Sequence, residues 1–284
     1  MFDLVNTIVP IFVIILLGGF LRHRGYLPAH LIPPLNQLVF YLAIPAMIFR
    51  AVAKASFFAH FQPALLAGTL LPVLVVFGLA VAAGRSSKLS GPELGTFLQS
   101  SIHGNLGYIG LAVSYYLLGQ AGLTRASILA GFLMILQNVL SVAALQTSAG
   151  SSRGQPQGLF FLGKILGNPV IASAMAGIVF SILQAPLPLF LDRILEIISG
   201  MALPLALLII GASLSFGLIR YKIRITLLTS CLKLAILPAA GLGFFLALGL
   251  QPEDFLPGFI LLAAPTATVT YIMAGEMSGS TELA

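Results

Sequence analysis

The chain has 284 residues, of which 58% are apolar and 8% are Asp, Glu, Lys or Arg, whereas a soluble domain carries about 25% charged residues. So few charges cannot cover a water-soluble globule of this size, which excludes a soluble enzyme, a nucleic-acid-binding module and a disordered tail. The formal net charge of +6 rests on too few bases to form a phosphate-tracking stripe; in so apolar a chain the bases mark loops on one side of a lipid bilayer. The single cysteine, Cys231, excludes an intrachain disulfide and a multi-cysteine metal site. An all-α polytopic membrane protein without cofactor, metal or nucleic-acid partner is expected.

A helix crossing a hydrocarbon core of about 30 Å needs about 20 mostly apolar residues. In chain order such stretches run over 4–21, 35–57, 62–84, 94–118, 124–146, 169–185, 194–217, 225–249 and 255–275, giving nine predicted spans. Span 1 has no base ahead of it, and Arg22 and Arg24 follow it, so it does not read as a cleaved signal peptide. Pro45 and Pro204 predict kinks in spans 2 and 7. Ser90 and Glu93 have the spacing of a capping box opening span 4. Gln137 and Asn138 are adjacent amides in span 5, either glue between helices or groups of a site. Lys233 lies inside span 8, where it either snorkels to the interface or stands as a buried counter-charge.

Thr147 to Gly158 is a polar Gly/Ser-rich linker (147–158) that divides five spans (1–146) from four (159–284). Nine bases fall on the connections after spans 1, 3, 5 and 7: Arg22, Arg24, Arg85, Lys88, Arg153, Lys164, Arg220, Lys222 and Arg224. Four fall on the other side: Arg50, Lys54, Arg125 and Arg193. The positive-inside rule then puts the N-terminus outside.

The two halves resemble each other in order. An offset of 159 pairs Pro10 with Pro169, Gly18 with Gly177, Pro45 with Pro204 and Ser56-Phe57 with Ser215-Phe216. An offset of 163 pairs Gly95 with Gly258 and Tyr108-Ile109 with Tyr271-Ile272. With five spans per repeat, the second copy enters the membrane upside down, a common plan of secondary transporters. The repeat predicts a partner for span 5 starting near residue 287, a tenth span that is missing from a sequence ending at Ala284.

Two spans carry helix breakers at midplane depth. Span 4 contains His103-Gly104-Asn105-Leu106-Gly107-Tyr108-Ile109-Gly110, and span 9 contains Pro265-Thr266-Ala267-Thr268-Val269-Thr270. Twelve residues from Glu93 to Asn105 reach about 18 Å into the bilayer. Broken backbone is tolerated there only in packed protein or beside a cavity. Crossed half-helices offer free N–H groups to a carboxylate and free carbonyls to a cation or proton donor. The candidate substrate-binding residues are therefore Asn105, His103, Gly104, Gly107, Pro265, Thr266 and Thr268, with Gln137, Asn138 and Lys233 beside them. The bland alternative is close packing of small residues between helices.

The segments IVPIFVIILLGGFLRHRGYLP, LNQLVFYLAIPAMIFRAVA, GNPVIASAMAGIVFSIL, MALPLALLIIGASL and APTATVTYIMAGEMSGSTELA resemble the auxin efflux carrier family in its bacterial branch. That family is similar in fold to bile-acid sodium symporters. The resemblance implies two inverted five-helix repeats, a scaffold domain of spans 1, 2, 6 and 7, and a transport domain of spans 3–5, 8 and 9 with the tenth. It implies that broken helices 4 and 9 cross at the substrate, with Asn105 as the crossover asparagine and Pro265 as the crossover proline. It also implies homodimers through the scaffold, residence in the bacterial inner (plasma) membrane, and organic-anion substrates such as malonate, malate or auxin. One departure stands out: the family's Gly-x-Pro is here Gly110-Leu111-Ala112, leaving the break to glycines.

The expected function is secondary transport of a small carboxylate by an elevator-type movement. The alternative is a non-transporting membrane sensor or structural protein that retains the transporter fold. An intramembrane enzyme is disfavoured: the chain has no His-Glu-x-x-His and no paired aspartates within a span, and Ser101 and His103 point to different faces of a helix.

Overall fold

The structure is a computed structural model that describes residues 2–55, 57–148, 167–214 and 222–284. Linker residues 149–158, Ser56, Ser215-Phe216 and the bases Arg153, Lys164 and Arg220 lie outside the described residues. Among the described residues the chain is helical nearly throughout, and extended pairing is limited to one antiparallel bridge, Gly104 to Thr266. The helices are α1 (Phe2–His23), α2 (Ala29–Ala53), α3 (Pro63–Ser86), α4 (Gly91–Ile102) and α5 (Leu111–Ser148). They continue as α6 (Pro169–Ile182), α7 (Leu189–Ser213), α8 (Ile223–Ala247), α9 (Pro252–Ala263) and α10 (Val269–Glu276). Among the described residues, five runs are long and apolar enough to cross a bilayer: α2, α3, Leu106–Gln146, α7 and α8.

Prolines account for two of the widened turns. A widened π-turn, Val39–Ala43, lies just ahead of Pro45, and another, Leu232–Ile236, just ahead of Pro238. Proline has no N–H for the carbonyl four residues back, and its ring presses on that carbonyl; a wider turn relieves both. In α7 the helical run is interrupted at Gly200 and Met201, one turn before Pro204. In α5 the irregularity is Gly119, at φ 65°, ψ −159°, a backbone conformation that strains any residue with a Cβ. It separates limbs 111–118 and 120–148.

The chain divides into two compact units. The first comprises Met1–Phe61, Gly107–Gly131 and Leu166–Ser215. In it, a Cβ on Gly18 would overlap the Leu208 carbonyl, and one on Gly211 would overlap the Ile15 carbonyl, so α1 and α7 approach backbone to backbone. Small residues permit such approach where lipid supplies no hydrophobic drive. On α6, a Cβ on Gly177 would meet the Val52 Cβ at 3.0 Å and the Phe49 oxygen at 3.3 Å. Gly177 and Phe49 stand 159 positions from Gly18 and Leu208, so the two crossings repeat the sequence offset. At the helix ends, Arg22 donates to the Ala212 carbonyl near the end of α7, and Ser181, 159 residues on, donates to the Ala55 carbonyl, two residues past the position that offset would give.

The second unit comprises Gln62–Leu106, Phe132–Ile165 and Phe216–Ala284. Gly84 lets α3 close on Leu94 and Phe97 of α4, and Gly258 of α9 sits against Thr69 and Phe245. The Phe245 ring stacks on Phe255 at 5.1 Å. Gly95 packs on Leu145, to whose Cα an added Cβ would come within 3.0 Å. The predicted capping box forms at the start of α4, where Glu93 accepts from the Ser90 N–H at 3.2 Å. Glu93 also pairs with Lys222, whose ammonium holds the carboxyl below the usual carboxylate range.

Candidate functional site

The site is the pair of breaks within the second unit. The helical course of α4 ends because His103 turns extended, at φ −81° and ψ 97°; helical geometry resumes only in the widened turn Leu106–Gly110. α9 ends at Ala263, where Ala264 takes φ −58° and ψ 136° ahead of Pro265, and helix resumes at Val269. Between these ends the chains run antiparallel. Asn105 N–H donates to the Pro265 carbonyl at 2.7 Å, and Ala267 N–H donates to the His103 carbonyl at 3.0 Å. Thr266 Oγ1 donates to the Ser100 carbonyl at 3.1 Å, and Gln99 Nε2 to the Thr270 carbonyl at 3.3 Å.

A broken helix leaves backbone groups that must find partners when buried. Gln137 supplies two: its Nε2 donates to the Ile102 carbonyl at 2.9 Å, and its Oε1 accepts from Gly104 N–H at 3.3 Å. Lys233 supplies another, its Nζ donating to the Leu262 carbonyl in the last turn of α9 at 2.8 Å. Lys233 is fully buried, the one Lys, Arg, Asp or Glu side chain so placed among the described residues; it takes the buried alternative and does not snorkel. A Cβ added to Gly104 would lie 3.3 Å from Lys233 Nζ, so the amino group reaches the bridge itself. His103 Nδ1 lies 2.9 Å from Ser141 Oγ.

The electrostatics follow from the helix ends. α4 and α9 both present carbonyl ends to the bridge, and an ammonium is favoured where helix dipoles are negative. It has three donors, of which the Leu262 carbonyl takes one. Nearby, Gln99 Oε1 and Ser100 Oγ are buried without a protein partner. The site therefore holds a buried lysine amino group with one protein acceptor, beside two buried polar atoms that lack one.

The constellation therefore brings together His103, Gly104, Asn105, Pro265, Thr266, Gln137 and Lys233. Three expected residues take no part in these contacts. Thr268 is exposed at the start of α10, Asn138 donates back to the Met134 carbonyl of its own helix at 2.8 Å, and Gly107 belongs to the segment that joins the first unit. Sequence reasoning missed Gln99 and Ser141. Both carried a signal, since Gln99 lies one turn before His103 and Ser141 one turn after Gln137, each on the same helical face.

A helical chain with several apolar runs of spanning length, pairing two interrupted helices beside a buried lysine, is a multi-pass membrane protein. Comparison with known proteins gives the class a name: residues 3–154 and 157–284 match the family described as "Membrane transport protein". The chain belongs to this family of auxin efflux carrier-type transporters, which are transporters and not enzymes. It is 26% identical over 289 residues to a "Putative malonate transporter" of Rhizobium meliloti, covering 97% of this chain and 87% of that protein. It is 25% identical over 283 residues to an "Uncharacterized transporter" of Methanothermobacter thermautotrophicus, covering 95% and 88%. A second "Uncharacterized transporter", from Methanocaldococcus jannaschii, is 25% identical over 244 residues, 82% of this chain and 76% of that one.

Proposed function

We propose that the chain is a secondary transporter of a small organic anion, a mono- or dicarboxylate such as malonate or malate, bound at the Gly104–Thr266 bridge. The observation that carries this reading is the buried Lys233 amino group at the paired breaks, with donors left for a carboxylate. Asn105, His103, Gly104, Pro265 and Thr266 frame the anion, with Thr268 and Gly107 at its margins. Gln137 holds the broken backbone open, and Asn138 lies behind it. The name of the Rhizobium relative is consistent with this substrate class.

The same reading makes the fold two inverted repeats crossing the membrane in nine spans, with the N-terminus outside the plasma membrane. The recurrence of the Gly18–Leu208 crossing as Gly177–Phe49 supports the repeat. Movement is of elevator type, the second unit carrying the solute while the first acts as scaffold. The division of the chain into two compact units supports two bodies. The scaffold then includes residues 107–131 from spans 4 and 5 besides spans 1, 2, 6 and 7.

The test is uptake and efflux of labelled malonate and malate in proteoliposomes, for the wild-type chain and Asn105→Ala. Saturable flux that the substitution abolishes is expected. Equal flux in the two proteins removes the bridge as the site.

A further inference from the structure

Within the first unit, a charged cluster sits where α2 ends. Arg50 Nε binds Asp192 Oδ1 at 2.7 Å, Lys54 Nζ binds Asp192 Oδ2 at 2.7 Å, and Arg50 Nη2 reaches Glu196 at 3.1 Å. Asp192 thus shows what Arg50 and Lys54 do to a carboxylate: each oxygen takes one cation. Two cavities of about 400 Å³ flank the cluster, and Arg50, Ala51 and Gln120 line both. One is walled by Arg50, Lys54, Gln120 and Thr124 among alanines, and among the described residues no acid lines it. The other is lined also by Glu196, Tyr115, Tyr116 and Ser199 over an apolar floor of Met47, Leu123 and Leu203. Arg50 stands between them.

We infer that Arg50 and Lys54 form a second carboxylate site, at which a small carboxylate exchanges with Asp192 for the two cations. Arg50 has five N–H donors and Lys54 three, more than Asp192 and Glu196 engage. The cavity beside Lys54 is lined by both cations and, among the described residues, by no acid. Glu196 is mostly exposed, so its hold on Arg50 is the weaker one and yields first. Gln120, exposed and lining both cavities, adds an amide donor. The site captures carboxylate weakly, because the incoming anion must compete with one already in place. This inference rests on the carboxylate reading of the substrate but not on the bridge as its location.

The experiment is equilibrium binding of radiolabelled malonate to the purified full chain in phosphatidylcholine nanodiscs. Two classes of site are expected in the wild-type protein. Arg50→Gln and Lys54→Gln lose the weaker class, and Asn105→Ala loses the tighter one. Asp192→Asn should tighten the weaker class by about tenfold, the scale of one charge-assisted hydrogen bond released from competition. A merely structural ion pair gives the opposite result, since its loss brings no gain in binding. Lys54→Gln retains the Arg50–Asp192 pair, so it reports even where Arg50→Gln does not fold. Unchanged or weaker binding in Asp192→Asn overturns the inference, as does a single class lost only with Asn105. A single class lost only with Arg50 and Lys54 supports it and removes the bridge site instead. No malonate binding in the wild-type protein overturns both.

Discussion

Replacing Lys233 with methionine keeps most of the stem volume and deletes the charge, so it separates the two tasks of the side chain. On stability the terms nearly cancel. The bond to the Leu262 carbonyl contributes about 1.5–3 kcal/mol as a hydrogen bond to a charged group. Burying the ammonium costs several kcal/mol even after relaxation. Lys233→Met should therefore unfold within a few degrees of the wild-type protein, or above it. On transport nothing cancels. A carboxylate about 4 Å from the ammonium gains about 4 kcal/mol at an effective dielectric of about 20. Allowing for desolvation of the anion, a loss of about 3–4 kcal/mol lowers flux at subsaturating substrate by about 100- to 1,000-fold.

Two measurements read this: initial uptake of labelled malonate into proteoliposomes at matched protein content, and thermal unfolding of the same preparations. Membrane potential gives a third. Without Lys233 the loaded carrier holds one more negative charge, worth up to about 2.3 kcal/mol per 100 mV if it crosses the whole field. Any residual flux should be more voltage-dependent than in the wild-type protein. Uptake within threefold of wild type would refute the reasoning. So would a protein that unfolds much earlier yet transports normally per folded molecule, because Lys233 would then be only the cap of α9.

Other perturbations test the surrounding structure. Gln137→Leu strips partners from the Ile102 carbonyl and the Gly104 N–H together; at about 1–3 kcal/mol for each buried orphan, thermal unfolding should show a clear loss. Gly211→Ala drives a Cβ into the Ile15 carbonyl, whereas Gly78→Ala meets nothing within 4 Å. The first should cost about 3 kcal/mol or more because backbone must move, and the second should stay within about 0.5 kcal/mol, both read by unfolding in detergent. The Glu93 carboxyl is held low chiefly by its bond to Lys222. Its stabilisation is therefore present above the usual carboxylate range and is lost as pH falls through the lowered value. The difference in unfolding temperature between wild type and Glu93→Gln should persist at neutral pH and close in strong acid; a constant difference refutes the ion-pair account.

The sequence revealed the elements whose signals are local. Helical class followed from composition, the capping box from Ser90 and Glu93, and the breaks from glycines at 104 and 107 and from Pro265. The pairing at Gly104 and Thr266 was less legible, because an antiparallel bridge between segments some 160 residues apart has no local spacing to betray it. Gln137 and Asn138 illustrate the limit. Adjacent amides on one helix point about 100° apart, so only one could face the break, and nothing in the residues said which. Lys233 was undecided for a related reason. A stem that reaches the interface from one rotamer reaches the α9 terminus from another, and the choice depends on a carbonyl left free where a distant helix breaks.

The sequence offsets bear differently on packing and on chemistry. At 159, a close crossing recurs with its glycine and its carbonyl partner both shifted alike: Gly18 with Leu208, Gly177 with Phe49. At 163, which aligns spans 3 and 4 with 8 and 9, Lys233 falls on Leu70, His103 on Thr266 and Asn105 on Thr268. A strictly symmetric bridge would bury two ammonium groups against each other or none. Two would repel at short range in low dielectric, and none would leave a carboxylate without a counter-charge. On the proposed reading one lysine, supplied by α8 alone, serves a single anion, so Leu70→Lys should fail as a gain of function. Singly it adds an unpaired charge on a half-buried position of α3, and combined with Lys233→Met it restores binding only if the two positions are equivalent in space. Recovery of malonate uptake in that double variant would be direct evidence for an inverted repeat at the site, and its absence would confine the recurrence to the α1–α7 and α2–α6 crossings.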